Sequence, residues 1–118
     1  MVEKQESQHV LSIFRFRMRD LTPAQSEEYD TTAERLIKIA SAMPGFVSFR
    51  DFTGHDGELL AIVEFASAEA LAAWRDHPEH RKAQDRGRNE YYAEYKIVNC
   101  AVIHEYGYKH PARETQPS

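Results

Sequence analysis

The segment Leu59-Leu60-Ala61-Ile62-Val63-Glu64-Phe65 is apolar on both parities, with Glu64 its one interruption. A strand of that composition lies inside a sheet and is covered on both sides. Its surroundings say how it is reached. Before it, residues 46–54 alternate apolar and polar, and His55-Asp56-Gly57 supplies a turn, so Phe46–Gly54 and Glu58–Ala66 read as a β-hairpin. Strict alternation puts Phe46, Ser48, Arg50 and Phe52 on one face of the first strand, and Val47, Phe49, Asp51 and Thr53 on the other. After it, Ser67 is a helix-capping residue, and Ala68, Leu71, Ala72 and Trp74 recur at helical spacing. The stretch from Pro44 to Tyr95 is the part around which the chain is built.

Upstream, from His9, the chain reads HVLSIFRFRMR. Val10, Phe14, Phe16 and Met18 share one parity, while Leu11, Ile13, Arg15, Arg17 and Arg19 share the other, which predicts a strand. Thr22 and Pro23 then open a helix, as cap and first residue, with Glu27 and Glu28 in its early turns. Tyr29, Ala33, Leu36, Ile37, Ala40 and Met43 make an apolar stripe about 100° wide, enough to cover one sheet face. Pro44-Gly45 stops that helix.

Downstream, the helix from Ser67 to Asp76 is interrupted at His77, because a residue preceding proline avoids helical dihedrals, and Pro78 begins a further short helix. The last strand is expected from Tyr92 to Tyr106. The element order is thus strand, helix, strand, strand, helix, strand. That order predicts an α+β fold of the ferredoxin-like βαββαβ type, a four-stranded antiparallel sheet with helices on one face. The second apolar parity then needs another cover, and a homodimer joined through the sheets provides it. Residues 1–8 are expected to be a disordered leader, 9–107 the folded domain, and 108–118 a flexible tail.

Composition narrows the function. A chain of 118 residues fits one domain, and a net charge of −4 without a long basic run disfavours nucleic acid as a partner. Cys100 is the single cysteine, so neither a disulfide within the chain nor a multi-thiolate metal site can form, and no metal site is expected. No apolar run approaches the roughly 20 residues of a membrane span, and no signal segment is visible, which points to the cytoplasm. Phosphate-binding loops, dinucleotide fingerprints and nucleophile elbows are missing from the sequence.

Pro44-Gly45-Phe46, the hairpin, Ser67-Ala68-Glu69-Ala70, Trp74, His77-Pro78-Glu79-His80 and Gln84 together resemble the antibiotic biosynthesis monooxygenase (ABM) family, over about residues 9 to 107. The resemblance implies a dimeric α+β barrel with a pocket between the sheet and the helices of each subunit. One branch of the family oxidises phenols or quinols with O₂ and no cofactor, and Trp74 matches a tryptophan on that branch's second helix. Another branch binds and degrades haem with a first-strand asparagine and a histidine ten positions after the tryptophan. Here the first strand has no asparagine and the tenth position is Gln84, so haem would require His77 or His80 in another register.

The candidate site residues each carry two readings. His77 is a helix-end cap or a cation, and His80 a pocket-lining or core histidine; either is a candidate catalytic proton acceptor. The two lie three apart across Pro78, which argues against a paired metal site. Trp74 is core filler or a wall that stacks on a planar aromatic substrate. Arg15 pairs with an acid across the sheet or holds an anionic or phenolic group in the pocket. Tyr95, with Tyr91 and Tyr92, seals either the pocket or the dimer seam, and Tyr29 is core or ligand contact. Glu64 needs a cationic partner, expected in Arg15 or Arg17. The sequence therefore points first to cofactor-independent oxidation of a phenolic small molecule by O₂. Haem degradation and non-catalytic small-molecule binding are the alternatives.

Overall fold

The computed structural model describes residues 8–111. The elements are β1 (Val10–Met18), α1 (Pro23–Ser41), β2 (Phe46–Thr53), β3 (Leu59–Phe65), α2 (Ala68–Arg75), α3 (Pro78–Arg86), one π-helical turn (Gly87–Tyr91) and β4 (Tyr92–Ala101). The sheet is antiparallel throughout, in the order β2-β3-β1-β4. This is the ferredoxin-like α+β fold expected from the element order. The expected leader, apart from Gln8, and the tail beyond residue 111 lie outside the described residues.

Local chemistry accounts for the boundaries. Thr22 caps α1 in a reciprocal box: its Oγ1 accepts from the Gln25 amide at 3.1 Å, and Gln25 Oε1 accepts from the Thr22 amide at 2.9 Å. Gly45 has φ +85° and lies against α2, where an added Cβ would come within 2.6 Å of the Ala70 Cβ. The β2–β3 turn closes through Gly54 N to Glu58 O at 2.7 Å, with Gly57 at φ +89°. Ser67 caps α2 through a bond from the Ala70 amide. His77 is extended at φ −61°, ψ 133° and becomes the N-cap of α3.

Helices α1 and α2 pack on one sheet face around Val10, Ala40, Phe65, Leu71 and Trp74. On the opposite face run the rows Ile62–Ile13–Val98 and Leu60–Arg15–Lys96. No helix of the described residues is long and apolar enough to cross a membrane.

Three expectations need correction. The last strand ends at Ala101 rather than Tyr106. Val102 N still bonds His9 O at 2.9 Å, whereas Ile103 and Tyr106 are 87% and 88% exposed and, among the described residues, pair with no strand. Glu64 meets neither Arg15 nor Arg17; its Oε2 lies 2.6 Å from His9 Nδ1. The register puts Glu64 opposite Leu11, four residues or roughly 13 Å along β1 from Arg15, so the arginines take nearer acids. Arg15 pairs with Glu58 at 2.9 Å and Arg17 with Asp56 at 2.8 Å. Strict alternation also fails in β2. The register shifts between Phe46 and Ser48, so Phe46 opposes Phe65 while Ser48 opposes Glu64, and Val47 is the bulged residue. Phe46 and Phe49 therefore share the helix-covered face.

Candidate active site

Between the sheet and its helices lies a cavity of about 790 Å³. Three rows of residues across the strands form its floor: Phe16–Leu59–Tyr95, Phe14–Ala61–Ile97 and Ser12–Val63–Asn99. The α1 stripe supplies the roof through Tyr29, Ala33, Leu36 and Ile37, and α2 with α3 supplies a wall of Trp74, His80 and Gln84. A largely apolar enclosure with a few polar groups is the usual form of a small-molecule site.

The wall follows from the break at His77-Pro78. Because the chain turns there, α3 brings His80 back over α2, and its imidazole stacks on the Trp74 ring at 4.3 Å and 22°. Trp74 is 7% exposed and belongs to the core cluster while also lining the cavity. His80 Nδ1 lies 3.4 Å from the Arg75 carbonyl, which can only accept, so a hydrogen bond there puts the proton on Nδ1 and leaves Nε2 of the neutral ring unprotonated. Burial lowers the His80 pKa below its ordinary value, against the opposing effect of the Arg75 and Trp74 carbonyls, and the ring is neutral at pH 7.

A second bulge builds the far end. The β1–β4 register shifts between Arg17 and Met18, placing Arg17 opposite Glu94 and Met18 opposite Tyr92. Tyr92 and Tyr95 thus share the cavity face, with ring centroids 5.8 Å apart. Tyr92 also meets Phe14 and Phe16 edge-on, each at 5.3 Å. Its position depends on Gly87, where an added Cβ would stand 2.2 Å from the Tyr92 ring. Arg19 holds the same corner, donating to the Arg88, Asn89 and Tyr92 carbonyls at 2.8, 2.9 and 3.0 Å. The Tyr29 and Tyr92 hydroxyls are 3.1 Å apart. Tyr91 turns away from this pair and donates to Glu28 at 2.8 Å; burial and that carboxylate push its phenol up to about 12.

Of the residues singled out in the sequence, Trp74, His80 and Tyr95 line the cavity together. Tyr95 is at the mouth, 37% exposed, with its hydroxyl 3.4 Å from Arg88 Nη1. Arg15 and His77 are not among the lining residues. Arg15 lies with Glu58 on the sheet face opposite the helices, and His77 Nδ1 accepts the Glu79 amide at 3.1 Å as the cap of α3. Sequence reasoning missed Ser12 and Asn99, adjacent polar residues in the floor, because neither belongs to a motif. Tyr29 stood out on the helix stripe and Tyr92 in the tyrosine-rich stretch, but no signal in the sequence joined them. Among the described residues, no group of three or more His, Cys, Asp or Glu side chains could hold a metal ion.

Comparison with known proteins agrees with this architecture. Residues 12–86 match the family model described as antibiotic biosynthesis monooxygenase. The chain is 33% identical over 69 residues to the uncharacterized protein YqjZ of Bacillus subtilis (strain 168), a match that spans 58% of this chain and 60% of that protein. The fold is similar to a variant of SnoaB, a cofactor-independent oxygenase from Streptomyces nogalater, at TM-score 0.68 and 17% identity, covering 84% of this chain and 97% of that one. It is also similar to a dimeric ferredoxin-like protein of unknown function from Thermobifida fusca, at TM-score 0.66 and 22% identity, covering 84% and 100%. With the family model matching well over half of its length, the chain belongs to the antibiotic biosynthesis monooxygenase family.

Proposed function

We propose that this protein is a small cytoplasmic monooxygenase that oxidises a phenolic or quinol-type aromatic with O₂ and without a cofactor, acting as a homodimer. The observation that carries the reading is the Trp74–His80 stack in the wall of an apolar, aromatic cavity, with the neutral imidazole keeping Nε2 as a proton acceptor. The similarity to a cofactor-independent oxygenase supports it, and a dimeric relative with the uncovered apolar sheet face supports the assembly.

The chemistry follows from these parts. Trp74 and the aromatic floor pack against the planar substrate and exclude water from it. Nε2 of His80 takes the phenolic proton, leaving an electron-rich phenolate. The phenolate passes one electron to O₂, which avoids the spin barrier to direct addition, and the radical pair closes to a carbon–oxygen bond. Loss of water from the resulting peroxide gives the quinone. One phenol with a free ring C–H and one O₂ thus yield one quinone and one water, and the substrate supplies all the electrons.

The test is oxygen uptake by the purified protein with a panel of naphthols, anthrones and hydroquinones, followed by a haem titration. Uptake that falls about 10²- to 10⁴-fold in His80→Ala, the range general-base removal covers, is the expected result. A saturable Soret band lost in that variant would replace this reading with haem chemistry, with His80 as ligand. Aromatic binding without oxygen consumption would leave a non-catalytic binding protein.

A further inference from the structure

We infer that Tyr91 is a redox-active residue that protects the site: through Tyr29 and Tyr92 it supplies one electron to strongly oxidising radicals formed in the cavity, and it hands its proton to Glu28. The inference takes from the proposed reading only the source of the oxidant, a peroxyl or oxyl radical left by O₂ chemistry.

The phenols form a line that leads out of the cavity. Tyr95, Tyr92 and Tyr29 are lining residues, and Tyr91 lies behind them. Ring centroids are 5.8 Å apart from Tyr95 to Tyr92, 5.9 Å from Tyr92 to Tyr29 and 5.2 Å from Tyr29 to Tyr91. The Tyr29 and Tyr92 hydroxyls add a direct contact at 3.1 Å. Rings this close exchange electrons readily, and phenols are among the most easily oxidised side chains. Phenylalanine would fill the same space without serving as a station.

The far end of the line is built for the proton. A phenol that loses an electron becomes a very strong acid, so a tyrosine is readily oxidised only where a base takes its proton. Tyr91 donates to Glu28 Oε1 at 2.8 Å. The Tyr91 hydroxyl and Arg86, at 2.7 Å, hold the Glu28 carboxyl below its ordinary range, so it is ionised at neutral pH. Burial and that carboxylate push the Tyr91 phenol up to about 12, so it keeps its proton until it is oxidised. The Arg86 guanidinium lies 5.5 Å from the Tyr91 ring centre, where it repels a positive charge on the oxidised ring; loss of the proton removes that charge. Tyr91 is 2% exposed and the Glu28 side chain 45%, so the electron moves inward through the rings and the proton outward to water. Tyr29 and Tyr92 bond each other and no base among the described residues, so they pass the electron without keeping the radical.

The step balances. The cavity radical gains one electron, and a proton from solvent, to become a hydroxyl group or a hydroperoxide. Tyr91 becomes a neutral phenoxyl radical and Glu28 carries its proton. A small-molecule reductant such as a thiol or ascorbate then restores Tyr91. Semiquinones are weaker oxidants than a tyrosyl radical, so the proposed oxidation itself is not diverted.

The test photo-ionises Trp74, the chain's one tryptophan, in the full chain without O₂ or ligand and with an electron scavenger present. Transient absorbance and electron paramagnetic resonance follow the radical. The neutral indolyl radical is a stronger oxidant than the tyrosyl radical at neutral pH. Its signal should therefore give way to a tyrosyl signal at a rate independent of protein concentration. Tyr91→Phe should abolish the tyrosyl signal. Glu28→Gln, which keeps an acceptor oxygen but takes no proton, should abolish it too. The exposed pair substituted as Tyr106→Phe/Tyr108→Phe should leave it unchanged, with far-UV circular dichroism confirming the fold of every variant. A tyrosyl signal that persists undiminished in Tyr91→Phe or Glu28→Gln overturns the inference. So does one lost with Tyr106 and Tyr108, or none in the unaltered chain. Turnover is not read, so this transfer and oxygen uptake fail separately.

Discussion

Replacing Gly87 by alanine should destabilise the protein, although helix propensity argues the opposite. Gly87 has helical dihedrals, φ −59° and ψ −48°, so alanine brings no backbone strain and should gain about 1 kcal/mol from its propensity. The new methyl, however, would lie 2.2 Å from Tyr92 Cε2 and 2.7 Å from Cδ2, the first more than 1 Å inside ordinary contact. The ring cannot yield without disturbing its edge contacts to Phe14, Phe16 and Tyr29 or its bond to the Tyr29 hydroxyl. Overpacking costs about 1–3 kcal/mol and the lost bond about 1 kcal/mol, so the net loss is about 1–3 kcal/mol. In a Tyr92→Ala background the clash is gone, and the same substitution should stabilise by up to about 1 kcal/mol. The sign reverses, giving a coupling of about 2–4 kcal/mol between the two positions. Urea denaturation of the four proteins in this cycle, with midpoints compared at constant m, measures it. A stabilising Gly87→Ala in the unaltered protein would refute the argument that Tyr92 is pinned against this backbone.

Further expectations follow from the same geometry. Trp74→Phe should cost about 1–2 kcal/mol in urea denaturation and weaken binding of a planar aromatic, whereas Trp74→Ala should cost about 3–5 kcal/mol, because the indole is both core and cavity wall. His80 has a folded pKa below its ordinary value of about 6.5, so between the two the unfolded chain binds a proton that the folded chain does not. Its stability contribution is therefore complete above pH 6.5 and is lost as pH falls through the folded pKa, and His80→Gln should flatten that part of the profile of urea midpoint against pH. Oxidation that depends on Nε2 should rise with pH through the same region and be level at neutral pH, in an oxygen-electrode assay. Gly45→Ala should cost more than 1 kcal/mol in thermal or urea unfolding, since φ +85° strains any side chain and the Ala70 Cβ is only 2.6 Å away.

Much of the fold could be read from the chain because its signals are local. Capping at Thr22 and Ser67, the stop at Pro44-Gly45 and the interruption at His77-Pro78 act within a few residues and appear where expected. The alternation in β1 likewise assigned Phe14 and Phe16 to one face and Arg15 and Arg17 to the other. Of the cavity lining, Trp74, His80 and Tyr95 were legible, residue types that stand out on a helix wall or in a strand.

Periodicity by itself determined which residues share a face of one element, and with it the order and kind of the elements. Only the tertiary structure decided which face the helices cover, and that choice separated Arg15 from the cavity that Phe14 and Phe16 enter. It also decided the two bulges, at Val47 and Ala93, that bring Phe46 beside Phe49 and Tyr92 beside Tyr95 against the alternation. The physical reason is that a bulge is a property of two strands: one extra residue is accommodated only against a particular partner in a particular register. Ion-pair partners obey the same limit, as Glu64 shows by meeting His9, because reach across a sheet is set by register and not by the chemistry of the side chain.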